Sequence, residues 1–307
     1  MNPFVSFLYK NKVTVAFVII FIFFAIFIPN FLSLNNLMSV GKQIAVNGII
    51  ATGMTFVIIT GGIDLSVGSL LAVAGVFCAM LVKSGVNSIV VILLTIGLGV
   101  LIGLTNGLVI TKLKIAPFIT TLAMLSILRA FALGMSGGRS VSGLGDTFRF
   151  IGRGEIFSIP FPLFIMIVVF IIFGFILAQT KFGTHVYAIG ENEDTSNILG
   201  LKVDKNKIIV YCISGGLAAL ASIIQTARLN SGQPLTGEGA ELDAIAAVVI
   251  GGTDLNGGYG RIIGTVFGVA IMGMLTNGLI LLNISFYYQL AVKGLVILFA
   301  VGVSRKK

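Results

Sequence analysis

A chain of 307 residues that is 57% hydrophobic and 10% charged, with a mean hydropathy of +1.09, cannot cover a water-facing surface; charged side chains supply about a quarter of a soluble domain. Its apolar runs are roughly 17–24 residues long, the length of a helix crossing about 30 Å of hydrocarbon, which excludes a barrel of alternating strands of about 10 residues. The net charge of +9 maps to loops, as membrane topology demands, so it gives no ground for a nucleic-acid partner.

In chain order the sequence predicts one all-α, polytopic transmembrane domain over residues 1–307 with about ten spans. They lie near 13–29, 43–60, 66–82, 88–111, 116–135, 161–179, 208–229, 242–252, 262–282 and 287–303. The first is a retained span and not a leader, because Ile28-Pro29-Asn30-Phe31 follows it in place of a small-residue cleavage site. The eighth is too short to cross alone and is expected to be a broken or re-entrant segment sheltered by protein or a polar cavity. With the N-terminus inside, Lys10, Lys12, Lys112, Lys114, Lys181, Lys202, Lys205, Lys207, Arg261, Arg305, Lys306 and Lys307 fall on inner segments. Only Lys42, Lys83, Arg139, Arg149 and Arg153 fall on outer ones, which predicts both termini in the cytoplasm. Arg129, Arg228 and Lys293 remain near the outer ends of spans, where they either snorkel or line a polar path.

Two connections are long. The outer one, about 136–160, is rich in Gly and Ser and is expected to be an irregular cap. The inner one, about 180–207, contains a predicted short helix over Glu191 to Ile198, with Asn192 or Asp194 as its cap and Gly200 as its stop. That helix reads either as a plain connector or as a docking element for something acting from the cytoplasm.

The span junction Gly61-Gly62-Ile63-Asp64-Leu65-Ser66-Val67-Gly68-Ser69 sets a carboxylate in a glycine break next to hydrocarbon, and Gly251-Gly252-Thr253-Asp254-Leu255 repeats the spelling. A carboxylate there is costly and must face a partner, a cavity or an aqueous edge. Both junctions fall on the inner side, which relates them by an axis along the membrane normal. Leu104-Thr105-Asn106-Gly107-Leu108 is echoed by Leu275-Thr276-Asn277-Gly278-Leu279, yet those spans run in opposite directions. Small-residue pairs, Gly99 with Gly103 and Gly264 with Gly268, permit close helix contact within one chain or between two.

Reactive chemistry is sparse. The single histidine, His185, has neither metal-site nor triad companions, and Cys78 and Cys212 sit inside apolar runs as packing residues. Asp64, Asp243 and Asp254 do not form the acidic relay of a proton-coupled carrier. Gly257-Gly258-Tyr259-Gly260-Arg261 lacks the Gly-Lys-Ser/Thr ending of a phosphate loop, so ATP hydrolysis by this chain is not expected. A carrier or channel that needs no ATPase is the alternative from another class.

Three stretches resemble the permease subunits of bacterial ABC importers for simple sugars, the ribose type above all: Gly61 to Ser69; Tyr187-Ala188-Ile189-Gly190 with Asn192, Glu193 and Gly200; and Glu241 to Thr253. Asn277-Gly278-Leu279, Tyr287-Tyr288-Gln289 and Val292-Lys293-Gly294 extend the resemblance to the C-terminal end. The resemblance implies a plasma-membrane permease that pairs with a second copy or a close paralogue. A cytoplasmic ATPase with two nucleotide domains, which carries the ATP and Mg, would drive it, and an extracytoplasmic sugar-binding protein would load it; the chain itself carries no cofactor and no metal. It further implies an ATPase-coupling loop built on Gly183, Tyr187, Ala188, Gly190, Asn192, Glu193 and Gly200, and a binding-protein face at Arg228 and Gln233. Thr184 and Glu191 depart from the pattern, where a basic residue and a glycine are usual. Asp64, Ser66, Asn106, Asp243, Thr253, Asp254 and Asn277 are the expected organisers of gate and path. Asp64 with Ser66 reads as a helix-start cap at the inner mouth, or as a direct contact for the passing sugar. Within the same superfamily, a permease for branched-chain amino acids is a further alternative.

Overall fold

The computed structural model describes residues 12–304. Lys10, Arg305, Lys306 and Lys307, which the orientation argument used, lie outside the described residues. The helices in chain order are α1 (Lys12–Phe27), α2 (Leu34–Ile59), α3 (Val67–Lys83), α4 (Ser88–Lys112), α5 (Pro117–Ser136), α6 (Asp146–Arg153) and α7 (Phe161–Gln179). They continue with α8 (Lys181–Glu191), α9 (Glu193–Ile198), α10 (Val203–Leu229), α11 (Ala240–Ile250), α12 (Ile262–Leu281) and α13 (Phe286–Ser304). Six of these, α2, α4, α5, α7, α10 and α12, are long and apolar enough to cross a membrane by length and composition.

Each expected span corresponds to a helix, with one large shift. The second starts at Leu34, nine residues before the hydropathy onset, because Asn30 turns the chain at φ +61° and Ser33 accepts the Asn36 N–H at 3.4 Å. The outer connection is more ordered than an irregular cap. It holds α6, whose Phe148 is buried, and two short ribbons. Strand β1 (Val141–Ser142) pairs antiparallel with β4 (Ser231–Gly232), and β2 (Glu155–Ile156) pairs with β3 (Ile159–Pro160). The inner connection is likewise almost wholly helical, with α8 running into α9 through Asn192.

Two helices, α3 with 17 residues and α11 with 11, start from breaks in the chain. Before α3 the chain runs non-helically through 60–66, and before α11 it does the same through 233–239. The first turn of α3 crosses the second break where Gly68 meets Gly237. A Cβ on Gly68 would lie 2.5 Å from the Gly237 carbonyl oxygen, and one on Gly237, at φ +79°, would lie 2.4 Å from the Gly68 carbonyl. From this crossing α3 runs to the end of the bundle carrying β4, and α11 runs the opposite way, to the end carrying α8 and α9. The pattern extends to their neighbours: α4 packs on α10 as α12 packs on α2, and α3 packs on α5 as α11 packs on α13.

Residues 34–136 and 203–304 therefore form two four-helix units of inverted direction. The Leu-Thr-Asn-Gly-Leu echo lies near the C-terminal ends of α4 and α12, as inverted repeats require. The glycine–aspartate echo is not a repeat about the membrane normal: Gly61–Asp64 precedes α3, whereas Gly251–Asp254 follows α11. The two loops instead meet at the α8 end, where Gly258 N–H donates to the Ile59 carbonyl at 2.9 Å. The small-residue pairs serve packing within the chain. Gly99 and Gly103 admit the backbone of α10 at Gly215 and Tyr211, and Gly264 and Gly268 admit α11 at Gly251 and Ala247. Such contacts replace the missing hydrophobic drive between helices in lipid with close van der Waals packing.

Candidate functional site

The centre of the molecule is a buried polar knot at the start of α3. Asp64 is 1% exposed and accepts from Ser66 N–H at 3.0 Å, Ser66 Oγ at 2.6 Å and, across to α10, Ser214 Oγ at 2.8 Å. Ser66 Oγ accepts in turn from Asn106 Nδ2 of α4 at 2.9 Å. Three helices and one break are thus tied by a single carboxylate. A carboxylate in hydrocarbon persists only with such donors, and the N-terminal end of α3 adds a favourable partial charge. Asp64 does not itself cap the helix in the usual sense. Ser66 occupies the N-cap position without a side-chain capping bond, and Asp64 holds that residue from two positions upstream. The knot is enclosed: Ser66 and Ser214, which donate to Asp64, are buried, as is Asn106, which is joined to it through Ser66. Asn106 Oδ1, Ser69 Oγ and Tyr211 Oη are also buried here, and within the described residues they have no hydrogen-bond partner.

The second break is held differently, by a residue whose role the sequence left open. Arg129 of α5 donates through Nη1 to the carbonyl oxygens of Pro234 at 2.7 Å and Thr236 at 3.0 Å. It neither snorkels outward nor stands alone; it clamps the 233–239 segment. Beside it, the half-buried Glu241 lies over Gly68 at the crossing. Two residues on, Asp243 pairs with Lys293 of α13 at 2.8 Å, both side chains being 19% exposed. Replacing Arg129 by Ala is expected to free the break while leaving the long helices packed. Each lost charge-assisted bond counts for about 1.5–3 kcal/mol. We expect protease cleavage within 233–239 to rise with membrane insertion intact; an unchanged cleavage pattern would show that the clamp is idle.

The remaining expected organisers lie apart from this knot. Asn277 makes a reciprocal amide pair with Asn36 of α2, at 3.0 and 2.8 Å, toward the β4 end. Asp254 is half-buried and shapes its own turn, accepting from Asn256 N–H at 2.9 Å. Thr253 is buried against Gly260 with its hydroxyl unpartnered.

At the α8 end a short elbow projects from the bundle. Thr180 caps α8 by accepting the Gly183 N–H at 3.2 Å, and Gly183 lets α8 fold back on the Leu177 carbonyl. Gly190 seats α8 on α2, where a Cβ would come within 1.7 Å of the Ile59 carbonyl oxygen. Tyr187 donates to the Gly260 carbonyl at 2.7 Å, and burial pushes its phenol above the usual range, against the opposing pull of Arg261, so the donor proton stays in place. Ala188 is half-buried in the same helix. Asn192 caps α9 through Thr195 N–H at 2.7 Å, Glu193 pairs with Lys207 of α10, and Gly200 ends the elbow at φ +81°. Ile198 and Leu199 at its tip are 85% and 74% exposed.

At the opposite end, Gln233 donates to Ser231 Oγ at 3.1 Å and Arg228 lies half-buried under α6. Among the described residues no group of His, Cys, Asp and Glu could hold a metal ion.

Three relatives share nearly the whole of this architecture's sequence. The chain is 49% identical over 291 residues to the ribose import permease protein RbsC of Bacillus subtilis (strain 168), covering 94% of this chain and 90% of the relative. It is 45% identical to RbsC of Escherichia coli (strain K12), over 98% of this chain and 95% of that one. To the L-arabinose transport system permease protein AraH of the same strain it is 41% identical, over 95% and 89%. No solved structure matches it. The family described as branched-chain amino acid transport system / permease component matches residues 36–301, and the chain belongs to that family of membrane transport permeases.

Proposed function

We propose that this chain is the membrane-spanning subunit of an ATP-driven plasma-membrane importer for a monosaccharide, ribose or a related simple sugar. The observation that carries the reading is the elbow α8–α9, which offers two bare apolar side chains close in the chain to the exposed Asp194 and Lys202 and is seated through Gly190 on the end of α2. Identity of 41–49% to permeases named for ribose and L-arabinose import supports the substrate class. In this reading the elbow faces the cytoplasm and docks a separate ATPase with two nucleotide domains, which binds the ATP and Mg. The β4 end, with Arg228 and Gln233, receives the sugar from an extracytoplasmic binding protein. A second copy completes the translocation unit. The polar knot at Asp64 and the clamp at Arg129 hold the two breaks whose movement opens the path.

Reconstitution in liposomes tests this. Ribose uptake is expected to require the ATPase, ATP and the binding protein together. Full-rate sugar movement by the chain alone would mean a carrier or channel. The family's own description favours one further outcome: uptake of leucine in place of ribose would make it an amino-acid permease.

A further inference from the structure

A groove of about 950 Å³ runs between α7 and α12 and opens sideways at the α8 end. Its walls are apolar: Ile171 and Ile263 are each 65% exposed along it. On α7 the lining extends from Ile167 to Ala178, which at 1.5 Å per residue is roughly 16 Å, the depth of one leaflet of hydrocarbon about 30 Å thick. The mouth is of another kind. Arg261 stands there exposed, with no ion pair among the described residues, beside the 56% exposed ring of Tyr259. Glu191 lies over Gly258 on the same side, and among the described residues it makes no salt bridge with Arg261. An apolar trough one leaflet deep, ending in an unpaired guanidinium and a tyrosine at the edge of the bundle, matches one occupant in both halves: acyl chain along α7 and α12, phosphate at Arg261.

We infer that this groove binds an anionic phospholipid of the leaflet on the α8 side, with its headgroup phosphate on Arg261. The trough touches α8 through Tyr187 and the 258–261 turn, so an occupied groove would buttress the elbow from the side. The inference needs only that the bundle spans a bilayer, and it stands whatever the transported solute is.

Native mass spectrometry of the full chain in detergent provides the test, with phosphatidylglycerol and phosphatidylcholine offered in equal amounts. The chain is expected to retain phosphatidylglycerol at least about tenfold more strongly, the scale of one charge-assisted contact. Arg261→Gln should abolish that preference, and Arg261→Lys should keep most of it. Gly174→Leu should fill the trough and lower binding of both lipids. A Cβ at Gly174 meets only Ile262, at 3.8 Å, so the side chain enters without a backbone clash. Equal retention of the two lipids, or a preference that survives Arg261→Gln, would overturn the proposal. Displacement of the lipid by millimolar inorganic phosphate would do so too, by revealing a free-anion site. If Gly174→Leu fails to fold, the two Arg261 variants decide alone.

Discussion

Replacing Asp64 by Ala is expected to abolish transport and to lower the unfolding temperature of the detergent-solubilised chain on the order of 10 °C. The reason is the number of groups left without a partner. Ser66 N–H, Ser66 Oγ and Ser214 Oγ all donate to this carboxylate, and Asn106 is attached through Ser66. Removing the acceptor from a buried network leaves several donors unsatisfied, a loss of roughly 3–5 kcal/mol. For a chain of this size each kcal/mol shifts the midpoint by about 2–4 °C. Asp64→Asn separates geometry from charge. Its carbonyl can still accept from Ser66, and its amide can donate to Ser214 Oγ once that hydroxyl turns, so an intermediate loss is expected. The preferred sugar should be the same in whatever transport survives. If Asp64→Ala folds normally and changes only which sugar is carried, Asp64 is a recognition residue and the structural role fails.

Most of the spans were legible because length and hydropathy are read locally. The shortness of α11 was legible for the same reason: a helix of eleven residues cannot cross. What escaped had tertiary causes. The first turns of α2 carry Asn35, Asn36 and Lys42, which read as loop; Asn36 is satisfied by Asn277, and Lys42 by Glu155 at 3.2 Å, partners 241 and 113 residues away. The helicity of α8 was hidden by Gly183 and Gly190, which resemble breakers in sequence but serve close backbone contact in the fold. The break before α11 has none of the spelling of the break before α3. Its holding residue, Arg129, lies more than a hundred residues upstream on α5. The inverted repeat was announced by one five-residue echo, whose antiparallel placement looked like a contradiction until the directions of α4 and α12 were seen together.

Converting Ile198 and Leu199 together to Asp is expected to eliminate sugar-stimulated ATP hydrolysis without disturbing the fold. Both side chains are largely exposed in the isolated chain, so little packing is lost within it. At an interface, truncating an anchor costs about 2 kcal/mol or more, and two such losses weaken association roughly a thousandfold. Burying two carboxylates against the ATPase raises that further. The elbow's other side explains why the effect should reach transport. α8 rests on the Ile59 carbonyl through Gly190, Gly258 N–H caps the same carbonyl, and Tyr187 holds Gly260. Directly after Ile59 comes the 60–66 break that carries Asp64. A push on α9 is therefore delivered, through rigid contacts and over one turn of chain, to the loop that starts α3. The double variant should insert and melt as the parent does, fail to co-purify with the ATPase, and leave hydrolysis at the ATPase's own basal rate. Stimulation retained near the parent level would show that the ATPase grips another surface and that α8–α9 is only a connector.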